Sequence, residues 1–244
     1  MKINILYEDN YIIVCEKPVG IPSQSDKTSD YDMVNRLKNY IHETTDVNGE
    51  PYIGIVHRLD RPVGGIMVFA KTPFAAKSLS EQIRLDKVHK KYLAVVTADL
   101  SKKVGKEYSL TDFLVKDGRT NLSKVTSKRD ANGKKAELTY KILETAECKT
   151  QKDEEEMMKA SLVEVTLITG RHHQIRVQMS NAKLGLWGDT KYNPKYKDYK
   201  GWINVALYSY QLRFTHPKTG KEMEFQKYPL ENPFCNFSFI KNLL

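Results

Sequence analysis

The 244-residue chain carries 39 Lys plus Arg against 30 Asp plus Glu, a formal net charge of +9. With 40% hydrophobic, 10% aromatic and 28% charged residues, it has the composition of a folded chain with a sizeable core and not of a disordered one. No apolar run reaches the roughly 18 residues of a membrane span, the start is too short an apolar stretch for a signal peptide, and three scattered cysteines, Cys15, Cys148 and Cys235, suit a reduced, cytoplasmic interior.

Residues 3–7 and 11–16 read as a hairpin turning at Asp9-Asn10, two residues that tolerate tight backbone angles. Pro18, Gly20 and Pro22 punctuate a loop. Met33, Val34, Leu37, Tyr40 and Ile41 recur at helical spacing, with Ser29 or Asp30 as the cap. Residues 53–56 form a short strand that runs into His57-Arg58-Leu59-Asp60. Pro62, Gly64 and Gly65 make a bend, and residues 66–70 are a fully apolar strand. Pro73 suits the first turn of a helix reaching Arg84.

A strand over residues 90–96 follows, and residues 101–135 read as exposed hairpins. Alternation at Ala136, Leu138, Tyr140 and Ile142, and at Val163, Val165 and Leu167, predicts two half-buried strands. The acidic run 152–156 between them is read as a solvated turn. Ile175, Met179 and Ala182 mark a helix opening near Gly170-Arg171, and residues 207–214 and 223–226 are strands. Strands dominate without β-α-β alternation, and no linker divides the chain. The expectation is a single α+β domain over residues 1–244, on a mostly antiparallel or mixed sheet, with no separate N-terminal RNA-binding domain.

Three places carry candidate chemistry. At 57–61 an apolar strand delivers a His, two Arg and an Asp to a loop, which is how a scaffold presents a carboxylate. The plain alternative is that Asp60 pairs with Arg58 or Arg61 and fastens a turn. At 169–177 a Gly before a helix, with Arg171 and Arg176, offers N–H groups and guanidinium to an anion. Adjacent His172 and His173 have poor spacing for one metal and are read as capping and core groups. At 90–92, Lys90 and Lys91 are candidate phosphate contacts beside Tyr92, a core residue with an outward-reaching hydroxyl. No serine-hydrolase elbow, phosphate-binding loop or dinucleotide fingerprint is present.

In this order those places resemble the RluA-type pseudouridine synthases. The resemblance begins at Ile5-Leu-Tyr-Glu-Asp-Asn-Tyr-Ile-Ile-Val-Cys-Glu-Lys-Pro-Val-Gly-Ile and passes through His57-Arg-Leu-Asp60 and Lys91-Tyr92-Leu-Ala-Val. It continues with Thr169-Gly-Arg-His-His-Gln-Ile-Arg176 and Gly188-Asp189-Thr-Lys-Tyr192, and closes with Leu212-Arg-Phe-Thr-His216-Pro. It implies a central mixed, mainly antiparallel sheet flanked by helices and loops, split by an RNA-binding cleft. It also implies isomerisation of uridine to pseudouridine in ribosomal or transfer RNA, without metal or organic cofactor and without an obligate protein partner. Asp60 matches the catalytic carboxylate, Tyr92 the active-site tyrosine and Arg176 the arginine that pairs with the carboxylate. Arg58 matches a residue that displaces the target base. His57, Arg61, Arg171, Lys90 and Lys91 are the further substrate contacts expected, with Lys124, Lys128 and Arg129 farther out.

The chain departs from the family pattern at Pro62-Val-Gly-Gly65, where many members have Thr-Ser-Gly, and at Leu207-Tyr208-Ser209, where many have Leu-His-Ala. One carboxylate suits the reaction, because the departing uracil ring delocalises its charge, whereas a glycosidase expelling an alkoxide needs a second carboxyl as acid. The competing readings are an RNA-binding or RNA-folding protein without catalysis and, more remotely, a metal-dependent hydrolase using His57, Asp60, His172 and His173.

Overall fold

A computed structural model of the chain describes residues 3–25, 31–46, 49–150, 156–201 and 203–243. In chain order the strands are β1 (Asn4–Glu8), β2 (Ile12–Lys17), β3 (Gly54–Ile55), β4 (Gly64–Ala70), β5 (His89–Val96), β6 (Glu107–Asp117), β7 (Leu122–Thr126), β8 (Lys134–Lys149), β9 (Met157–Leu167), β10 (Leu207–Thr215) and β11 (Glu222–Gln226). The helices are α1 (Met33–Thr44), α2 (Pro73–Arg84), α3 (Gln174–Asn181) and α4 (Ser238–Lys241). This is the expected α+β class with mainly antiparallel strands. The contacts cluster into two compact units, residues 1–90 with 209–227 and residues 91–208 with 228–244. Two of the crossings fall inside β5 and β10 and therefore carry no linker for a sequence to reveal.

In the first unit the β1–β2 hairpin turns on Asp9, whose Oδ1 accepts the Tyr11 and Ile12 N–H groups at 2.7 and 2.8 Å. Its Oδ2 meets Nε2 of the buried His216 at 2.8 Å. Strand β2 pairs with β4 from Ile12 opposite Ala70 to Lys17 opposite Gly65, and β11 pairs with β10. All seven residues of β4 are buried, which accounts for its unbroken apolar run. Ile12, Val14, Ile66, Val68, Leu212 and Phe214 form one cluster with Ala75 and Leu79 of α2. At about 1.5–3 kcal/mol for each fully buried large aliphatic side chain, that cluster outweighs the unit's surface ion pairs.

Gly64 and Gly65 belong to β4 and do not form the expected bend. Gly65 has φ +127°, and a Cβ there would collide with the Ser209 backbone. The departure at Ser209 and the glycine at 65 are thus one close approach of two strands. Helix α1 starts at Met33 with Asp32 as its cap, its side chain accepting the Asn35 N–H. The expected caps Ser29 and Asp30 lie outside the described residues, as do 152–155 of the acidic run. Helix α2 begins as expected, with Thr72 as cap and Pro73 in its first turn.

The second unit holds the order β5-β9-β8-β6-β7, every pair antiparallel. The strands β8 and β9 extend well beyond the alternating stretches that announced them. Leu114 of β6, Ala136 of β8 and Val177 of α3 form a small core joined by Val125 and Tyr192, so the hairpin β6–β7 is packed on α3. Helix α3 begins at Gln174, later than expected, because His173 takes the left-handed conformation at φ 54°. Arg171 consequently precedes the helix.

Candidate active site

Residues 57–63 leave β3 with a buried-exposed rhythm. His57, Leu59 and Val63 are buried, Asp60 and Arg61 half-buried, and Arg58 exposed. Where β3 ends, His57 continues its hydrogen bonding to β4, with Nε2 accepting the Val68 N–H at 3.1 Å. That bond requires Nε2 without a proton, so the neutral ring carries its hydrogen on Nδ1. Burial, followed by the nearby Lys90 charge, lowers its pKa to about 3. His57, expected as a substrate contact, is therefore committed to β4 and holds the loop in place.

The loop is stitched to residues 17–23. Ser23 Oγ donates to the Leu59 carbonyl at 2.8 Å and accepts the Leu59 N–H at 3.1 Å. The Gly20 N–H donates to the Arg61 carbonyl at 2.9 Å, while Arg61 Nε returns a bond to the Gly20 carbonyl at 3.0 Å. The Val63 N–H closes the turn on the Asp60 carbonyl at 2.9 Å. Asp60 thus sits on a main chain fixed on both sides, with its carboxylate half-exposed.

Lys17 is the residue that sequence reasoning passed over. It is fully buried, and its Nζ donates to the carbonyls of Pro18, Ile21 and Arg61 at 2.9, 2.6 and 3.2 Å. Burial lowers its pKa to about 7, and the Asp60 carboxylate opposes that shift. In the sequence it stands at the end of the Ile12–Lys17 strand, beside Glu16 and directly before a proline.

Lys90 is half-buried, and burial lowers its pKa against the opposing charge of Asp86. In the second unit Lys91 pairs with Glu164 at 3.2 Å, which partly neutralises a cation expected to meet phosphate. Tyr92, opposite Val165 on β9, is 5% exposed.

The start of α3 organises the other expected residues. Gln174 Oε1 accepts the Arg171 N–H and the Thr169 hydroxyl, both at 2.8 Å, and its amide donates to the Glu137 carbonyl at 3.0 Å. Arg171 is exposed, anchored through Nε to the Lys135 carbonyl at 2.9 Å. Arg176 is buried, and its Nε and Nη2 meet the two carboxylate oxygens of Asp189 at 2.8 and 2.7 Å. Oδ1 of Asp189 also accepts the Lys191 and Tyr192 N–H groups. Gly188, at φ 73°, is pressed against the Asn204 carbonyl where a Cβ would not fit, and this fixes where Asp189 begins.

The Arg176 guanidinium lies 5.1 Å from the Tyr192 ring centre. The Tyr192 hydroxyl accepts the Ser123 N–H at 2.8 Å and meets His173 Nδ1 at 2.7 Å. Burial, then Arg176 and His172, lower the His173 pKa to about 2, so its ring is neutral. His172 stacks on His173 with centres 3.8 Å apart and bonds through Nδ1 to Ser123 Oγ at 2.8 Å. Both histidines serve the polar network around Arg176: His173 is a buried, hydrogen-bonded group as expected, but no histidine side chain caps α3. Within the units, the structure brings Asp60, Arg61 and Lys17 together in one and Arg176, Asp189 and Tyr192 in the other.

The family model described as RNA pseudouridylate synthase matches residues 11–181. A Bacillus subtilis protein named uncharacterized RNA pseudouridine synthase YlyB is 34% identical over 230 residues, covering 93% of this chain and 69% of that protein. The ribosomal large subunit pseudouridine synthase C of Buchnera aphidicola is 32% identical, with 98% and 70% covered. The tRNA pseudouridine synthase C of Haemophilus ducreyi is 30% identical, with 90% and 88% covered. Among solved structures, human RNA pseudouridylate synthase domain containing 1 shares the fold at a TM-score of 0.75 and 19% identity, covering 95% of this chain and 85% of that one. The expected family is the one found: the chain belongs to the RNA pseudouridylate synthases.

Proposed function

We propose that Asp60 is the carboxylate with which this RNA pseudouridine synthase isomerises uridine in a structured ribosomal or transfer RNA, acting in the cytoplasm with residues 1–244 as one catalytic domain. The observation that carries the assignment is the loop itself. Asp60 is a half-buried carboxylate on a main chain stitched down by Ser23, Gly20 and Lys17, beside a buried ammonium. A catalytic group held this way meets its substrate with little reorganisation.

In the reaction the bond from ribose to the uracil ring nitrogen breaks, the base turns, a bond to a ring carbon replaces it, and the proton that this carbon loses is balanced by one taken up at the freed nitrogen. A carboxylate beside the anomeric carbon serves as nucleophile, as partner to a developing positive charge or as acceptor of a sugar proton. By the family resemblance Tyr92 is assigned to the base, Arg176 to the catalytic set, and Arg58 to displacing the base from its stack, which costs a few kcal/mol. Arg61, Arg171, Lys90 and Lys91 contribute positive charge toward the RNA, and His57 positions the Asp60 loop.

Asp60→Asn keeps the side chain's shape and removes its charge. Pseudouridine formation in unmodified 23S ribosomal RNA and tRNA transcripts should fall by about 10²–10⁴-fold, while RNA binding stays within a few-fold of wild type. Wild-type turnover by the variant would refute the assignment, and mapping pseudouridine in cells with and without the gene identifies the RNA.

A further inference from the structure

We propose that residues 116–135, comprising the β6–β7 turn, β7 and the loop into β8, form an arm that grips RNA phosphates. This rests on the RNA-modifying activity above and adds a surface to it. The segment holds seven cations, Lys116, Arg119, Lys124, Lys128, Arg129, Lys134 and Lys135, against Asp117 and Asp130. Seven minus two leaves +5, more than half of the chain's +9, in 20 residues. All seven cations are exposed.

The two acids hydrogen-bond to their own turns, with the Lys124 charge close enough to favour their ionised forms. Asp117 accepts the Arg119 N–H at 2.8 Å, and Asp130 accepts the Thr126 hydroxyl and the Asn132 N–H at 2.7 and 2.9 Å. Among the described residues, Lys135 is the one cation of the seven in an ion pair, with Glu137. Gathered like charges repel each other unless a polyanion relieves them.

The arm is also held firmly. Leu114 and Val125 pack toward Val177 of α3, and Ser123 is buried between its bonds to Tyr192 and His172. Because Lys116 stands opposite Ser123 and Val115 opposite Lys124, successive residues of β7 face opposite ways. Ser123 fastens one face while Lys124 points to the other. Strand β7 carries Lys124 at its centre and spans about 14 Å at the rise of a strand; with Arg119 before it and Lys128 and Arg129 after it, the arm is long enough to follow successive phosphates of one RNA strand. Phosphate contacts of this kind position an RNA without reading its sequence.

The test compares wild-type protein with Lys124→Ala/Lys128→Ala/Arg129→Ala and with Lys102→Ala/Lys106→Ala/Lys141→Ala, three exposed lysines outside the arm. The probes are unmodified 23S ribosomal RNA and tRNA transcripts. The slope of log K against log salt should lose about 2 units in the arm variant, at roughly 0.7–0.9 per phosphate contact, and less than half that in the other. KM should rise about tenfold, with kcat falling much less. Equal slopes for all three proteins, or equal losses in both variants, overturn the proposal. Lys124→Glu alone, with one charge reversed on an exposed side chain, repeats the measurement should the triple variant fold poorly. If wild type makes no pseudouridine in any transcript, the activity reading fails, while the salt slopes still judge the arm. Arm-dependent binding of an acidic protein in preference to RNA would also overturn it.

Discussion

Lys17 and Arg176 are both buried cations, one in each unit, and they are held in opposite ways. Arg176 faces a carboxylate that matches its fork at two points, with an aromatic ring beside its plane. Lys17 is caged by three neutral backbone carbonyls. The first arrangement neutralises the charge on the spot. The second satisfies hydrogen bonds but leaves the charge uncompensated by its immediate partners, so burial pulls the pKa to about 7 and the Asp60 carboxylate pulls it back. The difference teaches which cation has a field to lend. The Asp60 carboxylate favours the charged form of Lys17, whereas the Arg176 charge is answered by Asp189.

The strongest way to break this comparison is at Asp189. In Asp189→Ala the buried guanidinium loses its bidentate partner, and removing one member of a buried pair costs about 3–5 kcal/mol. Urea unfolding should show that loss, with the slope of free energy against urea unchanged. A loss under about 1 kcal/mol would mean that Asp189 is not the main counterion of Arg176.

The second effect is in pH and sets one histidine from each unit side by side. His57 and His173 have folded pKa values of about 3 and about 2, against an ordinary 6.5. Below 6.5 the unfolded chain takes up protons that the folded rings refuse. Their contribution to stability is therefore full above 6.5 and is lost progressively as pH falls toward those folded values. At pH 5.5 each should have lost about 1.4 kcal/mol relative to neutral pH. His57→Gln supplies an amide oxygen for the Val68 N–H and nothing to titrate, so it should remove about half of this dependence. An acid response identical to wild type would show that His57 does not titrate as its environment implies.

Most strands and helices were legible because their periodicity comes from burial on one face or two. The apolar run of β4 and the Pro73 start of α2 are examples. Asp60 and Arg176 stand out in the sequence because each lies in a motif that resembles a family's. Hidden were features made by residues distant in sequence. Gly65 looks like a turn glycine until Ser209 is seen against it, and Asp189 looks like any acid until Arg176 is found on its carboxylate. Lys17 drew no attention, since no local pattern announces that three carbonyls will close around it. The start of α3 was misplaced for a related reason: the left-handed turn at His173 is stabilised by Tyr192, 19 residues away.

The last effect tests the Lys17 half of the comparison. Lys17→Met keeps a long side chain in the cavity but leaves three carbonyls without their donor, a cost of about 1–3 kcal/mol. Its pH behaviour separates this from a packing defect. The folded pKa of Lys17, about 7, lies below the ordinary 10.5, so between those values the unfolded chain binds the extra proton and rising pH favours the folded state. Methionine has no such dependence. The stability difference between wild type and Lys17→Met should therefore widen from pH 7 to pH 10, where a mere packing loss would stay constant. Pseudouridine formation should fall in the variant as well, through the field on Asp60 and the fastening of its loop. A constant stability gap with unchanged turnover would show that the buried ammonium is neither titrating nor felt by the carboxylate.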